Sequence, residues 1–216
     1  MRASGNLTKL RTAVVSRIRL LRFLHKEMAQ LSLRQQSIQL AFIAIELDNL
    51  IIRAFRAFTI STLREAKTTG GLRISVAKRL DAEDEIAAYV LSVLNVVKFK
   101  KLKSPSRIPR TDESAIRDPK QIEKIFLDCN ASNLTSLQNA LSLNSRVFRD
   151  VKFVRHFYAH RGQDTLEKAL NNAKSMGVLN IGHPDDILRF VVNGRPFSVL
   201  EEWLIDAQLF FELLME

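Results

Sequence analysis

Between Asn144 and Gly162 the chain reads Asn-Ser-Arg-Val-Phe-Arg-Asp-Val-Lys-Phe-Val-Arg155-His156-Phe157-Tyr158-Ala159-His160-Arg161-Gly. One guanidinium and two imidazoles fall within six residues. Histidine titrates near neutral pH and can take or give a proton. Arginine keeps its charge and can bind two phosphate oxygens at once. Together they suit the cutting of RNA by its own 2′-hydroxyl, which leaves a 2′,3′-cyclic phosphate and a 5′-hydroxyl. That reaction needs a base, an acid and a cation for the crowded phosphorane, and no metal.

On a helix, positions 156 and 160 lie one above the other, while 155 is turned about 140° away from 160. A single helix therefore does not converge Arg155 and His160. Two copies, were they related by a dyad, would bring two of each into one cleft. We expect His160 to transfer protons, Arg155 to hold phosphate, and His156 to orient the pair or touch RNA. Tyr158 either lines the cleft or packs in the core. A plainer reading makes Arg155 and His160 cations at a helix C-terminus, where the dipole favours them. His156 and His160 also have the i, i+4 spacing of a metal pair. No Glu follows the first His as in HExxH, and no third ligand is evident, so no metal is expected. His25 and His183 stand alone.

The segment resembles the R-x4-H signature of the HEPN superfamily, with a polar residue (His156) after the Arg, Ala159 before the His and Gly162 after it. The resemblance covers residues 119–216. It implies an all-α helical bundle and a metal-independent endoribonuclease without cofactor. It also implies a homodimer with facing motifs, frequent among toxins and phage-defence effectors, with an antitoxin protein as a partner. Glu46 is then a candidate acidic partner for Arg155, the alternative being a salt bridge with Arg53, and Arg161 is a candidate supporting cation. One subgroup, silenced by a nucleotidyltransferase antitoxin, carries Tyr two residues after the His; here that position is Gly162. The alternative reading is a HEPN-like module that binds nucleic acid or protein without cutting; a helical adaptor is a third.

The elements that must position these groups are helical. Gly (7) and Pro (5) are too sparse for a protein of many tight turns. Leu7, Leu10, Val14, Leu21, Leu24, Met28 and Leu31 follow 3-4 spacing and predict one long amphipathic helix. Ser32-Leu-Arg-Gln35 reads as a capping box opening a second helix, apolar nearly all round, that runs to about Lys67. Glu46, Asn49 and Arg53 form its polar stripe. Asp81 can cap a third helix from Ala82 to about Phe99, and Asp118-Pro119 starts another. The motif helix is expected over 145–161, ended by Gly162. A helix over 165–176 follows, then a turn-rich stretch with a short strand or helical turn at 188–192. A last helix opens at Ser198-Val-Leu-Glu201. We expect a single domain over 1–216, with 104–118 as a flexible loop.

Charge is uneven. Residues 1–110 hold 21 Lys/Arg against 8 Asp/Glu, and residues 111–216 hold 12 against 15. A polyanion is therefore the expected partner of the first half. The basic knot Lys98, Lys100, Lys101 and Lys103 and the seven cations before residue 27 are candidates to grip RNA backbone. The competing readings are a solvated face and a surface that docks an acidic antitoxin. No apolar run free of charge is long enough for a membrane span. The lone Cys129 cannot form an intrachain disulfide, which fits a reducing, cytoplasmic setting.

Overall fold

A computed structural model describes all 216 residues. The chain is all-α, as the sequence predicts. Its helices are α1 (Leu7–Glu27), α2 (Leu33–Leu63), α3 (Glu83–Leu94), α4 (Val96–Lys101), α5 (Pro119–Asp128), α6 (Leu134–Ser142), α7 (Val147–His160), α8 (Gln163–Ser175), α9 (Pro184–Arg189) and α10 (Val199–Leu214). Extended structure is limited to three isolated bridges, Asn6 with Lys67, Lys67 with Arg73, and Val191 with Ser198. No helix is long and apolar enough to cross a membrane. The chain gathers into two compact units. One comprises residues 1–14, 52–143 and 210–216, the other residues 15–51 and 144–209, so α1, α2 and α10 each give residues to both.

The first unit is built on aromatic rings. Phe55 meets Phe210 and Phe211 at centroid distances of 5.9 and 5.4 Å, and Phe58 meets Phe126 at 5.5 Å. Edge-on and tilted contacts of this kind add to the large area each ring buries. α5 begins as predicted: Asp118 accepts from the Lys120 amide at 2.9 Å, and Gln121 accepts from the Asp118 amide at 3.1 Å. The expected third helix is two. It breaks at Asn95, whose side chain leaves α3 to accept from the Lys98 amide at 2.9 Å and so caps α4. Asp81 does not cap α3, because its carboxylate is taken by Arg79 at 2.8 Å. α2 stops at Leu63 rather than near Lys67, where Glu65 turns left-handed (φ 55°) and the Ala66 amide bonds back to the Ser61 carbonyl.

The loop 104–118 is anchored more firmly than its composition suggests. Ile108 and Ile116 are buried, and Ile108 joins a small cluster with Ala87, Ala88 and Leu91 against which Phe99 packs. Arg56 holds Glu113 at 2.8 Å and Glu83 at 3.0 Å.

In the second unit the Ser32–Gln35 box forms as expected, the Ser32 amide donating to Gln35 Oε1 at 3.0 Å. α9 supplies the helical turn before Val191, and Val191 itself takes the bridge, so both expectations for 188–192 hold part of the truth. Its first residues are fixed by His183, whose Nδ1 accepts from the Asp185 amide at 3.2 Å, and by Pro184 at the first helical position. α10 opens where the Ser198 hydroxyl accepts from the Glu201 amide at 3.3 Å. It buries Leu200, Trp203, Leu204 and Ala207.

Candidate active site

α7 carries the whole motif. Val147, Phe148, Val151, Val154 and Tyr158 face the interior. Arg149, Lys152, His156 and His160 recur at 3-4 spacing and are all exposed. The helix thus shows solvent a stripe of two permanent cations followed by two imidazoles, and Lys152 lies 5.0 Å over the Phe153 ring. The His156 and His160 rings meet edge to face, with centroids 4.5 Å apart. No group of three or more His, Cys, Asp or Glu is arranged to hold a metal ion.

Arg155 sits on a different side of the helix. Its side chain is 29% exposed, and Nε lies 3.7 Å from Asp48 Oδ2. That Nε is sealed from water and has no hydrogen-bond partner. Any exposed guanidinium surface is therefore at the two terminal nitrogens. Asp48, only 2% exposed, is one of the few charges inside the molecule. A buried carboxylate is stable only with cations or donors around it.

Glu46 does not reach Arg155, nor Arg53; it pairs with Arg17 at 2.7 Å. The reason is angular. Residues 46 and 48 are about 200° apart on α2, so Glu46 lies on the polar stripe and Asp48 on the apolar side. The sequence signal is weak: a lone acid inside an apolar stretch is averaged over, although once buried it has to meet cations or donors.

Tyr158 is a core residue. It is buried, and its hydroxyl donates to Asp185 Oδ1 at 2.6 Å. Burial, then the Asp185 carboxylate, push its phenol far above the ordinary range. Phe157 packs edge-on against His183 at 5.2 Å, so α9 and the residue before it clasp the back of α7. Asp150, fully buried, binds Arg146 at 2.8 Å and Arg149 at 3.0 Å. Arg146 in turn donates to the carbonyl and hydroxyl of Ser175, at the end of α8, at 2.8 Å each. Asp48, Asp150 and Asp185 thus all act on one helix, and none of them figured among the expected site residues. Neither did the stripe partners Arg149 and Lys152, which the 3-4 spacing before His156 reveals.

The left-handed residue that ends α7 is Arg161 (φ 49°), not Gly162, whose φ of −92° is ordinary. Gly162 instead precedes α8, where its amide donates to the Thr165 hydroxyl at 3.2 Å. Asp164 is held below the usual carboxylate range by its hydrogen bond to Lys168 and by that ammonium's charge, with a smaller pull from His156. His25 is lowered by burial, against the opposing charge of Glu201. Cys129 is buried and its thiol is pushed up by that burial, as suits an inert structural thiol.

In the first unit, Lys100, Lys101 and Lys103 are exposed around the end of α4. Lys98 is partly committed, its Nζ donating to the Asp112 carbonyl at 2.8 Å. Comparison with protein-family models, with curated proteins and with solved structures found no match.

Proposed function

We propose that the protein is a metal-independent endoribonuclease of the HEPN type, acting as a homodimer. The observation that carries this reading is the placement of His156 and His160, side by side and open to solvent on the last turns of α7. The adjacent Arg155 rests on the buried Asp48. His160 takes the proton from the 2′-hydroxyl as that oxygen attacks the neighbouring phosphorus. The same residue of a second copy gives a proton to the departing 5′-oxygen. Arg155 offers its terminal nitrogens to the phosphorane oxygens. Its sealed Nε, at 3.7 Å from Asp48, makes no hydrogen bond. A buried donor left unsatisfied is costly, and a phosphate gives the guanidinium a better acceptor to move toward. Arg149 and Lys152 extend the same stripe with cations for flanking phosphates. The resemblance of the motif supports reading the protein as a toxin or defence effector, restrained by a partner protein.

The sealed Nε also favours a second reading. With Arg155 committed to Asp48, α7 serves as a nucleic-acid-binding face without cutting. One assay separates the two. Purified protein is incubated with end-labelled RNA in EDTA, beside His160→Ala. The ribonuclease reading requires products with 2′,3′-cyclic phosphate and 5′-hydroxyl ends, lowered about 100-fold or more in the variant. Intact RNA with retained binding supports the second reading.

A further inference from the structure

The first unit holds a cleft of about 490 Å³ whose lining includes Tyr89, Phe99, Lys78, Arg79, Ser92 and Pro105. We infer that this cleft accepts a base of single-stranded RNA, with the adjoining phosphates on Lys78, Lys100, Lys101 and Lys103. The inference rests on the ribonuclease reading for its biological sense, but not for its chemistry.

Three observations carry it. The first is the fixing of both aromatic rings. The Tyr89 hydroxyl donates to the Asp128 carboxylate, and burial, then that bond, push its phenol far above the ordinary range. Phe99 is seated on the cluster of Ala87, Ala88, Leu91 and Ile108. Rings held in place lose little freedom when a base stacks on them, and stacking is the main sequence-tolerant attraction for single strands.

The second is the division of labour among the cations. The arginines at the cleft are spent on carboxylates: Arg79 on Asp81, and Arg107 on Asp84 and on Glu85 in the cleft lining. Glu85 is neutralised in this way. Lys78, Lys100, Lys101 and Lys103 are exposed, with no ion pair of their own. The charge left over is thus ammonium, suited to phosphates as a set of mobile point charges.

The third is the backbone. After α4 the chain reverses through Lys103 and Ser104, both left-handed (φ 60° and 51°). The reversal returns the chain to Pro105 at the cleft and leaves Lys103 exposed at the bend. A duplex hides its base faces in the stack, so an aromatic floor selects unpaired bases. An acidic protein partner would use the lysines but not the rings.

The test uses the full chain with His160→Ala, so that RNA stays whole, and a fluorescein-labelled single-stranded RNA of about 12 nucleotides. Anisotropy titrations should show Phe99→Leu weakening binding about tenfold. The Lys100→Gln/Lys101→Gln/Lys103→Gln variant should weaken it further and lower the slope of log K against log salt by about 2. Thermal melts confirm that both variants are folded, and the lysine variant, being wholly on the surface, reads the site even if Phe99→Leu melts early. A duplex of the same sequence should bind more weakly and ignore Phe99→Leu. Equal binding by Phe99→Leu or equal affinity for the duplex overturns the proposal. Cleavage of a dinucleotide by the chain with His160 intact reads α7 alone. If that persists while Phe99→Leu and the lysine variant bind RNA normally, only the cleft is lost. If it is absent while the cleft variants weaken binding, only the ribonuclease reading is lost.

Discussion

The unit that carries α7 buries three carboxylates, Asp48, Asp150 and Asp185, whereas the unit built around Phe55 and Phe126 covers one to a similar degree, Glu113, whose side chain is 10% exposed against 12% for Asp185. The buried polar groups of that second unit are Thr59, Ser61, Thr62 and Asn133. Asp48, Asp150 and Asp185 all act on the same helix, through Arg155, Arg146 with Arg149, and Tyr158. An apolar core stabilises but tolerates many arrangements. A buried charge stabilises little on balance and admits few, because each alternative leaves it unpaired. The difference teaches that one unit is packed for stability while the other is constrained so that one helix shows a set face.

The comparison can be broken at several points. Arg146→Ala leaves Asp150 fully buried with only the exposed Arg149 beside it. It should cost about 3 kcal/mol, the low end for removing one partner of a buried pair, read from urea unfolding. A loss below about 1 kcal/mol would mean that Asp150 is solvated after all. Tyr158→Phe removes the 2.6 Å donor to Asp185. It should cost about 2 kcal/mol, with faster amide exchange in α9.

Thr59→Val probes the other unit and should change sign. The Thr59 hydroxyl is buried without a partner, so its removal should raise stability by about 1 kcal/mol. Destabilisation there would blur the contrast.

The smallest effect concerns pH. Burial holds the folded-state His25 below the ordinary imidazole range. Its neutral form is therefore favoured by folding, a contribution present above the unfolded-state pKa. As pH falls, the unfolded chain takes up its proton first, and stability declines through the folded pKa. His25→Gln should lose less stability than the unsubstituted protein between about pH 7.5 and about pH 5. An identical slope would show that His25 titrates alike in both states.

Much of the fold was legible because its signals are local. Ser32 with Gln35, Asp118 with Gln121, and Ser198 each mark a helix start through bonds within four residues. The sparse Gly and Pro and the 3-4 apolar spacing make the chain helical before any tertiary contact is considered. Ends were less legible, because they depend on competition for a side chain. Arg79 takes Asp81 from α3, and Asn95 chooses the start of α4 over the continuation of α3. At the site, the motif residues could be read and their supports could not. Spacing along α7 shows that His156 and His160 share a face. That Asp48 rather than Glu46 meets Arg155 depends on which side of α2 is covered, and an apolar stretch conceals a lone acid by averaging over it. Asp185 and Asp150 look in sequence like ordinary loop and surface acids.

The most direct measurement sets one unit against the other on a single scale. Asp48→Asn keeps the shape beneath Arg155 and removes its charge, while Phe126→Leu loosens the aromatic core of the first unit. Both are assayed for kcat/KM on RNA in EDTA, well below their melting temperatures. The account predicts a fall of about tenfold or more for Asp48→Asn and a change within about twofold for Phe126→Leu, even where the second melts at the lower temperature. Activity that follows melting temperature alike in both variants would contradict it, as would an unsubstituted protein that leaves RNA whole.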